Sequence, residues 1–303
     1  MGFNKGEWSE IYTFLYLLEN PDIKIVNNEL ICIDEQIFKI IEILNDTVKY
    51  KIDINKIKKI TVNGEVKEYL LSNISSNRRV LLSKILSQEA SSGSFDIVDM
   101  QSLIDDFFDG KKPKGSSSEK TDLSANVIDN KISSTIKINY NIKSSLGSPA
   151  TLLNASNNTN FIYKIENIDD RLMNVINSIE GRTKLLDRYK MLKENCADIK
   201  FIKTESTIFK NNLELIDSKL PEILSKLLIL SYSENEKDIK ILMNKLITNE
   251  TEKNFYTKKI GDFANAVTFG MRAGESWNGI NEVNGGIFLV RRTGDIHLLD
   301  LIY

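Results

Sequence analysis

Residues 121–144 read TDLSANVIDNKISSTIKINYNIKS, two alternating runs on either side of a turn-like centre at residues 129–134. In the second run, every other residue from Ile136 to Ile142 is apolar and the residues between them are polar, a period of two that predicts a β-strand. The first run alternates in the same way, and the Asn- and Ser-rich centre favours a turn. These residues therefore predict an antiparallel hairpin with one apolar and one polar face.

The register of this hairpin brings polar residues together at its open end. With the tip near Lys131, Asp122 lies opposite Asn141. Ser124 then lies opposite Asn139, and residues directly opposite each other share one face. A slip of one residue would turn Asp122 to the apolar face, so the pattern and the register agree.

Asp122, Asn141 and Lys143 form a polar group that suits metal-assisted cleavage of a phosphodiester. A carboxylate oxygen of Asp122 can bind Mg²⁺, and the metal ion can polarise a phosphate and acidify a water molecule that Lys143 orients. Asn141 is a neutral, weaker ligand than a second carboxylate. The alternative is an ordinary amphipathic strand pair with a solvated face, because short motifs often arise by chance.

The composition of the 303-residue chain bounds its class. With 41% hydrophobic and 27% charged residues it can bury a sizeable core, and its net charge of −2 predicts no global attraction to nucleic acid. Cys32 and Cys196 form no zinc-ligand pattern and predict a cytoplasmic protein with reduced thiols. The chain has no apolar run long enough to predict a membrane span, and it has no glycine-rich phosphate loop that would predict a nucleotide cofactor. The single histidine, His297, leaves carboxylates, lysine and metal as the means of hydrolysis.

Spacing patterns predict the other elements. Apolar residues at helical spacing predict helices at residues 6–20, 33–46, 77–88, 97–108 and over most of 166–260. Pro221 marks a helix start or kink, and Ser148-Pro149 marks the start of a short helix. Asn63-Gly64 predicts one hairpin, and residues 286–303 predict another that adds to a sheet.

The expected division of the chain follows these patterns. The segments are an N-terminal helix of the catalytic core (1–20), an α+β scaffold (21–110), the catalytic hairpin with an Asn- and Ser-rich segment whose side chains are of the kind that contact DNA (111–170), a helical region (171–260) and a C-terminal β-hairpin (261–303). Within the first segment, Glu7 and Glu10 share a helix face with Phe14. Carboxylates at the edge of a core are either paired or functional. The alternative is that Glu7 only interacts favourably with the dipole at the helix N-terminus and that Glu10 is exposed to solvent.

Four stretches together resemble the HpaII-type family of type II restriction endonucleases. They are NKGEWSE at residues 4–10, NIKS and LGSPATLLNAS between residues 141 and 156, TNF at 159–161, and GM, WNG and GG at 270–271, 277–279 and 285–286. Their order and spacing cover nearly the whole chain. Members of the family usually run on beyond the position of Tyr303.

This resemblance implies an α+β fold with a PD-(D/E)xK-like nuclease core, in which helices flank a mixed central sheet, plus a helical insertion. It implies Mg²⁺-dependent, site-specific hydrolysis of double-stranded DNA, with Asp122 as the strand acid and Lys143 as the lysine of the motif. Asn141 occupies the position of the second acid, where relatives also tend to have a small polar residue. The implied replacement is Glu10 or Glu7, with Glu10 preferred, so Asp122 and Glu10 are the expected metal ligands.

DNA contacts are expected from polar side chains after the hairpin and from the C-terminal basic pair. The expected contact residues are Ser144, Ser145, Asn154, Ser156, Asn157, Asn158, Asn160, Arg291 and Arg292. A palindromic site would favour a symmetric homodimer. The competing hypotheses are a DNA-binding or regulatory protein that has lost cleavage, and a helical interaction scaffold with no role at DNA.

Overall fold

The computed structural model describes residues 2–27, 29–45, 48–88, 93–113, 121–129, 134–147, 153 and 155–300, without the side chains of residues 24 and 34–37. Its α-helices are α1 (Lys5–Glu19), α2 (Leu71–Ser87), α3 (Gln101–Phe107), α4 (Asp170–Asn177), α5 (Lys184–Glu194), α6 (Thr207–Ile216), α7 (Leu220–Glu234), α8 (Ile239–Leu246) and α9 (Glu250–Phe269). Its strands are β1 (Asp22–Val26), β2 (Cys32–Asn45), β3 (Val48–Asp53), β4 (Lys56–Thr61), β5 (Val66–Leu70), β6 (Leu123–Asp129), β7 (Ser134–Ser144), β8 (Phe161–Glu166), β9 (Asp198–Thr204), β10 (Gly286–Val290) and β11 (Ile296–Asp300).

The chain forms two compact units, and the first contains residues 1–151 and 281–303. Its nine-stranded sheet has the order β1-β11-β10-β7-β6-β2-β3-β4-β5. The sheet is mixed, because β10 pairs in parallel with β7 and β1 pairs in parallel with β11, whereas β6 and β7 are antiparallel. The predicted α+β class with a mixed sheet and flanking helices is therefore confirmed.

Helix α1 is the central helix of this unit. Its residues Ile11, Leu15 and Leu18 are fully buried, and the helix packs against α2 and contacts β7 and β10. The Tyr12 hydroxyl donates a hydrogen bond to the carbonyl of Gly294 at 2.7 Å. Burial of an apolar helix face, at about 25 cal/mol per Å² of apolar area, is the main force that holds such a helix in place. It fixes the position of the polar residues at the N-terminal end of α1.

Two predicted hairpins are confirmed. Strands β4 and β5 join at Gly64, which has a φ of +82°. Strands β10 and β11 form the C-terminal hairpin, and β10 is buried at alternate positions, including Phe288 and Val290, because it lies inside the sheet beside β7. The predicted helix over residues 77–88 begins earlier, at Leu71, and the one over 97–108 is a 3₁₀ turn followed by α3.

The predicted helix over residues 33–46 is wrong, because this segment is the long strand β2. Phe38 and Ile40 are buried at strand spacing, and the pairing with β6 then shifts between Ile40 and Glu42. This bulge brings Ile43 to the buried face three residues after Ile40. The resulting spacing of two and then three resembles a helical pattern.

The second unit, residues 152–280, is mainly helical. Helices α6 to α9 share an apolar cluster in which Leu213 and Met271 are fully buried. The prediction of helices over most of residues 166–260 is confirmed, and Pro221 lies in the first turn of α7. Strand β9 interrupts the run of helices and pairs with β8 as a separate two-stranded sheet. The helix start at Ser148-Pro149 lies outside the described residues. Among the described helices, none is both long and apolar enough to cross a membrane.

Candidate active site

Asp122 lies directly before β6, at the open end of the β6–β7 hairpin. Its backbone N–H donates to the carbonyl of Tyr140 at 3.1 Å, and its Oδ2 accepts a hydrogen bond from the N–H of Ile142 at 2.8 Å. These two bonds bracket Asn141, so Asp122 lies beside it, as the predicted register requires. The carboxylate is therefore fixed by the neighbouring strand.

The rest of the predicted hairpin register is confirmed. Ser124 pairs with Asn139, and its hydroxyl donates to Asn139 Oδ1 at 2.8 Å, so both side chains lie on one face. Asn141 is buried, with 3% of its surface exposed, because β10 lies on the other side of β7 and pairs Ile287 with it. Lys143 is half-buried and makes no hydrogen bond or ion pair with any described residue.

Glu7 belongs to the cap of helix α1. The Asn4 side chain accepts from the N–H of Glu7 at 3.0 Å, and Glu7 Oε2 accepts from the N–H of Asn4 at 2.9 Å. This reciprocal arrangement is a capping box, which satisfies two of the free N–H groups at a helix start. Glu7 therefore has a structural task that uses one of its carboxylate oxygens.

Glu10, one turn further along α1, is in a different electrostatic environment. Burial, followed by the charge of Asp122 and a smaller effect of Glu7, raises the pKa of Glu10 to about 7, although Lys112 opposes the rise. Carboxylates lose solvation on burial, and a second negative charge nearby disfavours ionisation further. Burial and the charge of Asp122 thus act together to raise the pKa of Glu10.

Lys112 balances these carboxylates. Its Nζ lies 2.8 Å from Glu10 Oε2 and 3.7 Å from Glu7 Oε1. Burial alone would lower the pKa of Lys112, but the charges of Glu10, Glu7 and Asp122 outweigh that effect and raise it. Lys112 was not among the site residues predicted from the sequence, where the only local signal is the density of lysines in GKKPK at residues 110–114.

The donor set fits a hard divalent cation that is completed by other oxygens. In the described part of the chain, no three Asp, Glu, His or Cys side chains converge closely enough to hold a metal ion by themselves. Glu10 and Asp122 supply two carboxylates, and Mg²⁺ is commonly held by one or two carboxylates together with water and substrate phosphates. The ammonium group of Lys112 already occupies a position where a cation is stabilised by Glu10.

Three of the expected DNA contacts in the first unit also hold its backbone together. The Ser145 hydroxyl donates to the carbonyl of Val290 at 2.9 Å, and the Ser144 hydroxyl accepts from the N–H of Leu146 at 3.1 Å. Arg292 is exposed, and its Nε donates to the carbonyl of Ser145 at 3.3 Å. The bonds of Ser145 and Arg292 connect the end of β7 to the end of β10, and the bond of Ser144 is local to the turn that follows β7. Arg291 is exposed at the turn between β10 and β11.

The remaining expected DNA contacts lie in the second unit, apart from Asn154, which lies outside the described residues. Asn157 and Asn158 are exposed in a 3₁₀ turn that begins after Ser156. The side chain of Asn160 donates to Glu205 Oε2 at 2.7 Å. These residues therefore present a polar surface of their own unit.

Comparison with known proteins identifies the family. The family model described as HpaII restriction endonuclease matches residues 4–301. The chain is 34% identical to the type II restriction enzyme HpaII of Haemophilus parainfluenzae over 310 aligned positions, which cover 97% of this chain and 84% of that protein. No solved structure matches the chain. The mixed sheet with flanking helices is consistent with a PD-(D/E)xK-like nuclease, and the sequence matches show that this chain belongs to the HpaII restriction endonuclease family, whose members are type II enzymes that cleave DNA.

Proposed function

We propose that this restriction endonuclease hydrolyses phosphodiester bonds of double-stranded DNA with a Mg²⁺ ion held by Asp122 and Glu10. When bound, Mg²⁺ supplies a Lewis acid for the phosphate and lowers the pKa of a water molecule. Lys143 orients the attacking water, since its side chain projects from the strand that carries Asn141. Asn141 donates a hydrogen bond to the phosphate or to that water.

The observation that supports this assignment is the electrostatic interaction of two carboxylates from separate elements. Glu10 comes from α1 and Asp122 from the start of β6, yet the charge of Asp122 contributes to the raised pKa of Glu10. An arrangement that disfavours ionisation of a carboxylate is relieved when a cation binds, and such perturbed groups concentrate at functional sites.

The hydrogen bonds around Asp122 support different roles for its two oxygens. Oδ2 accepts from the N–H of Ile142 and so fixes the carboxylate against β7. We assign the other oxygen to the metal ion, with Glu10 approaching from α1. Glu7 is assigned to the helix cap rather than to the metal, because it completes the capping box with Asn4 and lies further from the Lys112 ammonium group, at 3.7 Å, than Glu10 does, at 2.8 Å.

Digestion of a phage genome of known sequence tests the proposal, because discrete fragments reveal both cleavage and the recognition sequence.

Asp122→Ala is expected to abolish cleavage in Mg²⁺ while duplex DNA containing the mapped site still binds in Ca²⁺. Lys143→Ala is expected to cut at a greatly reduced rate. Asp99→Ala is the control, because Asp99 pairs with Lys84 at an exposed position. Cleavage by Asp122→Ala at the wild-type rate would refute the assignment, and wild-type binding without cleavage would favour a regulatory DNA-binding protein.

Binding and assembly complete the proposal. We assign DNA contacts to Ser144, Ser145, Asn154, Ser156, Asn157, Asn158, Asn160, Arg291 and Arg292. Their amide, hydroxyl and guanidinium groups are the types that contact phosphates and base edges. A palindromic site would be cut by a symmetric homodimer in the cytoplasm, where Cys32 and Cys196 remain free thiols, without a nucleotide cofactor.

A further inference from the structure

Lys112 is placed where a metal ion and a lysine would compete. Its Nζ contacts Glu10 Oε2 at 2.8 Å, and three quarters of its side chain is buried. Glu7 Oε1 is 3.7 Å from the same nitrogen, and the charge of Asp122 also acts on it. One lysine thus neutralises part of the negative charge that the proposed metal ligands create.

The Lys112 ammonium group contacts the same carboxylate that the divalent ion would bind. An ammonium group and a divalent ion both require close contact with the carboxylate oxygens, and two cations at one carboxylate repel each other. The ion pair is also partly shielded from solvent, so its electrostatic stabilisation is larger than that of a fully exposed pair. Binding of a divalent ion at Glu10 therefore weakens the contact of the Lys112 ammonium group with this carboxylate and favours its release.

We propose that Lys112 is a built-in cation that occupies the Glu10 carboxylate of the metal site until a divalent ion displaces it. The inference rests on the assignment of Glu10 and Asp122 as metal ligands. Lys112 is then a positioning residue, which holds Glu10 near Asp122 in the metal-free protein and reduces the affinity of the site for metal.

Two consequences distinguish this role from a purely structural ion pair. Removing the charge of Lys112 strengthens metal binding, by about two- to fivefold for a partly exposed pair. In the wild-type protein, metal binding frees the Lys112 ammonium group from Glu10. A structural ion pair would instead lose metal affinity on substitution and would keep Lys112 protected in the metal-bound protein.

The first experiment is calorimetric titration of Ca²⁺ into the metal-free, full-length protein. Lys112→Gln is expected to bind Ca²⁺ about two- to fivefold more tightly than wild type, while Lys112→Arg, which keeps the charge, binds as weakly as wild type. Lys84→Gln is the matched control, because Lys84 forms a 2.7 Å ion pair with Asp99 that is about half exposed. Unchanged or weaker Ca²⁺ binding by Lys112→Gln overturns the proposal.

The second experiment uses the wild-type protein, so it does not depend on the folding of a variant. Acetic anhydride labelling followed by mass spectrometry is expected to modify Lys112 faster in saturating Ca²⁺ than in EDTA, with Lys84 unchanged. Equal or slower labelling of Lys112 in Ca²⁺ overturns the proposal. Glu10→Gln separates the two levels of inference. If Glu10→Gln binds Ca²⁺ as wild type does, the metal-site assignment fails; if it does not bind and Lys112 stays protected in wild type, only the role of Lys112 fails.

Discussion

Glu10 opposes the folding of the metal-free protein when it is ionised. Its pKa in the folded state is about 7, above the ordinary value of 4.5, because of burial and the charge of Asp122, with Glu7 adding to and Lys112 opposing the shift. Between these two pH values the folded state binds more protons than the unfolded state, so the contribution of Glu10 to stability falls as the pH rises. We expect Glu10→Gln to raise the melting temperature in EDTA at pH 8 and to change it little at pH 5.

Glu19 provides a control of opposite sign on the same helix. Burial raises its pKa, but the hydrogen bond and charge of Arg78 outweigh burial and lower it. Its contribution to stability is therefore present above the unfolded pKa and is lost as the pH falls through the folded value. Glu19→Gln should lower the melting temperature at pH 8. If Glu10→Gln lowers the melting temperature at pH 8, as Glu19→Gln should, the environment described for Glu10 is contradicted.

The residues of the hairpin were predictable because a period of two and a short turn fix which side chains face each other. Ser124 lies opposite Asn139, as expected from the alternation alone. Lys112 was not predictable as an ion-pair partner, because the path of the chain after α3 decides which carboxylate it meets. The sequence likewise left Glu7 and Glu10 as alternatives, and the capping box of Glu7 distinguishes their environments.

At the scale of elements, β2 shows where sequence patterns fail. Its bulge after Ile40 shifts the buried positions by one residue, so the apolar spacing no longer has the period of a regular strand. Its pairing with β1, β3 and β6 supplies hydrogen bonds that no local pattern records. Tertiary pairing can override local propensity in this way. Short-range hairpins such as β4–β5, in contrast, carry their turn residue in the sequence.

The junction at Gly286 allows β10 to enter the sheet beside β7. Gly286 has a φ of +112°, and a Cβ atom there would lie 2.0 Å from the carbonyl oxygen of Leu299 on β11. Since backbone atoms cannot move aside without breaking the strand pair, Gly286→Ala should lower the free energy of unfolding by about 3 kcal/mol or more. Urea denaturation measures this change.

Gly64 is the matched control for this substitution. It also has a positive φ, +82°, but a Cβ atom there would meet nothing within 4 Å. Gly64→Ala should therefore lower the free energy of unfolding by only about 1 kcal/mol, the strain of the left-handed conformation. If both variants lose the same free energy of unfolding, the close approach of Gly286 to β11 is not the reason why this position requires glycine.

At the scale of the whole molecule, the chain returns to its first unit at the end. Residues 281–303 join residues 1–151, and β10 pairs in parallel with β7 across more than a hundred intervening residues. The alternation of the last hairpin predicted that it would join a sheet, but not which strand it would join. Parallel pairing of distant segments has no local signature, because its partners are chosen by the packing of the complete unit. The family resemblance, which depends on stretches along the whole chain, was confirmed over residues 4–301.

The central claim is that Glu10 and Asp122 share the metal ion, and the most direct test is a pair of substitutions one helical turn apart. Single-turnover cleavage of DNA carrying the mapped site is measured in saturating Mg²⁺ for Glu10→Gln and Glu7→Gln. Gln at position 7 preserves the capping box, so this variant should cut within about threefold of wild type. Glu10→Gln should cut about a hundredfold more slowly or worse, since metal stabilisation of the transition state amounts to several kcal/mol. Cleavage by Glu10→Gln at the wild-type rate would contradict the account.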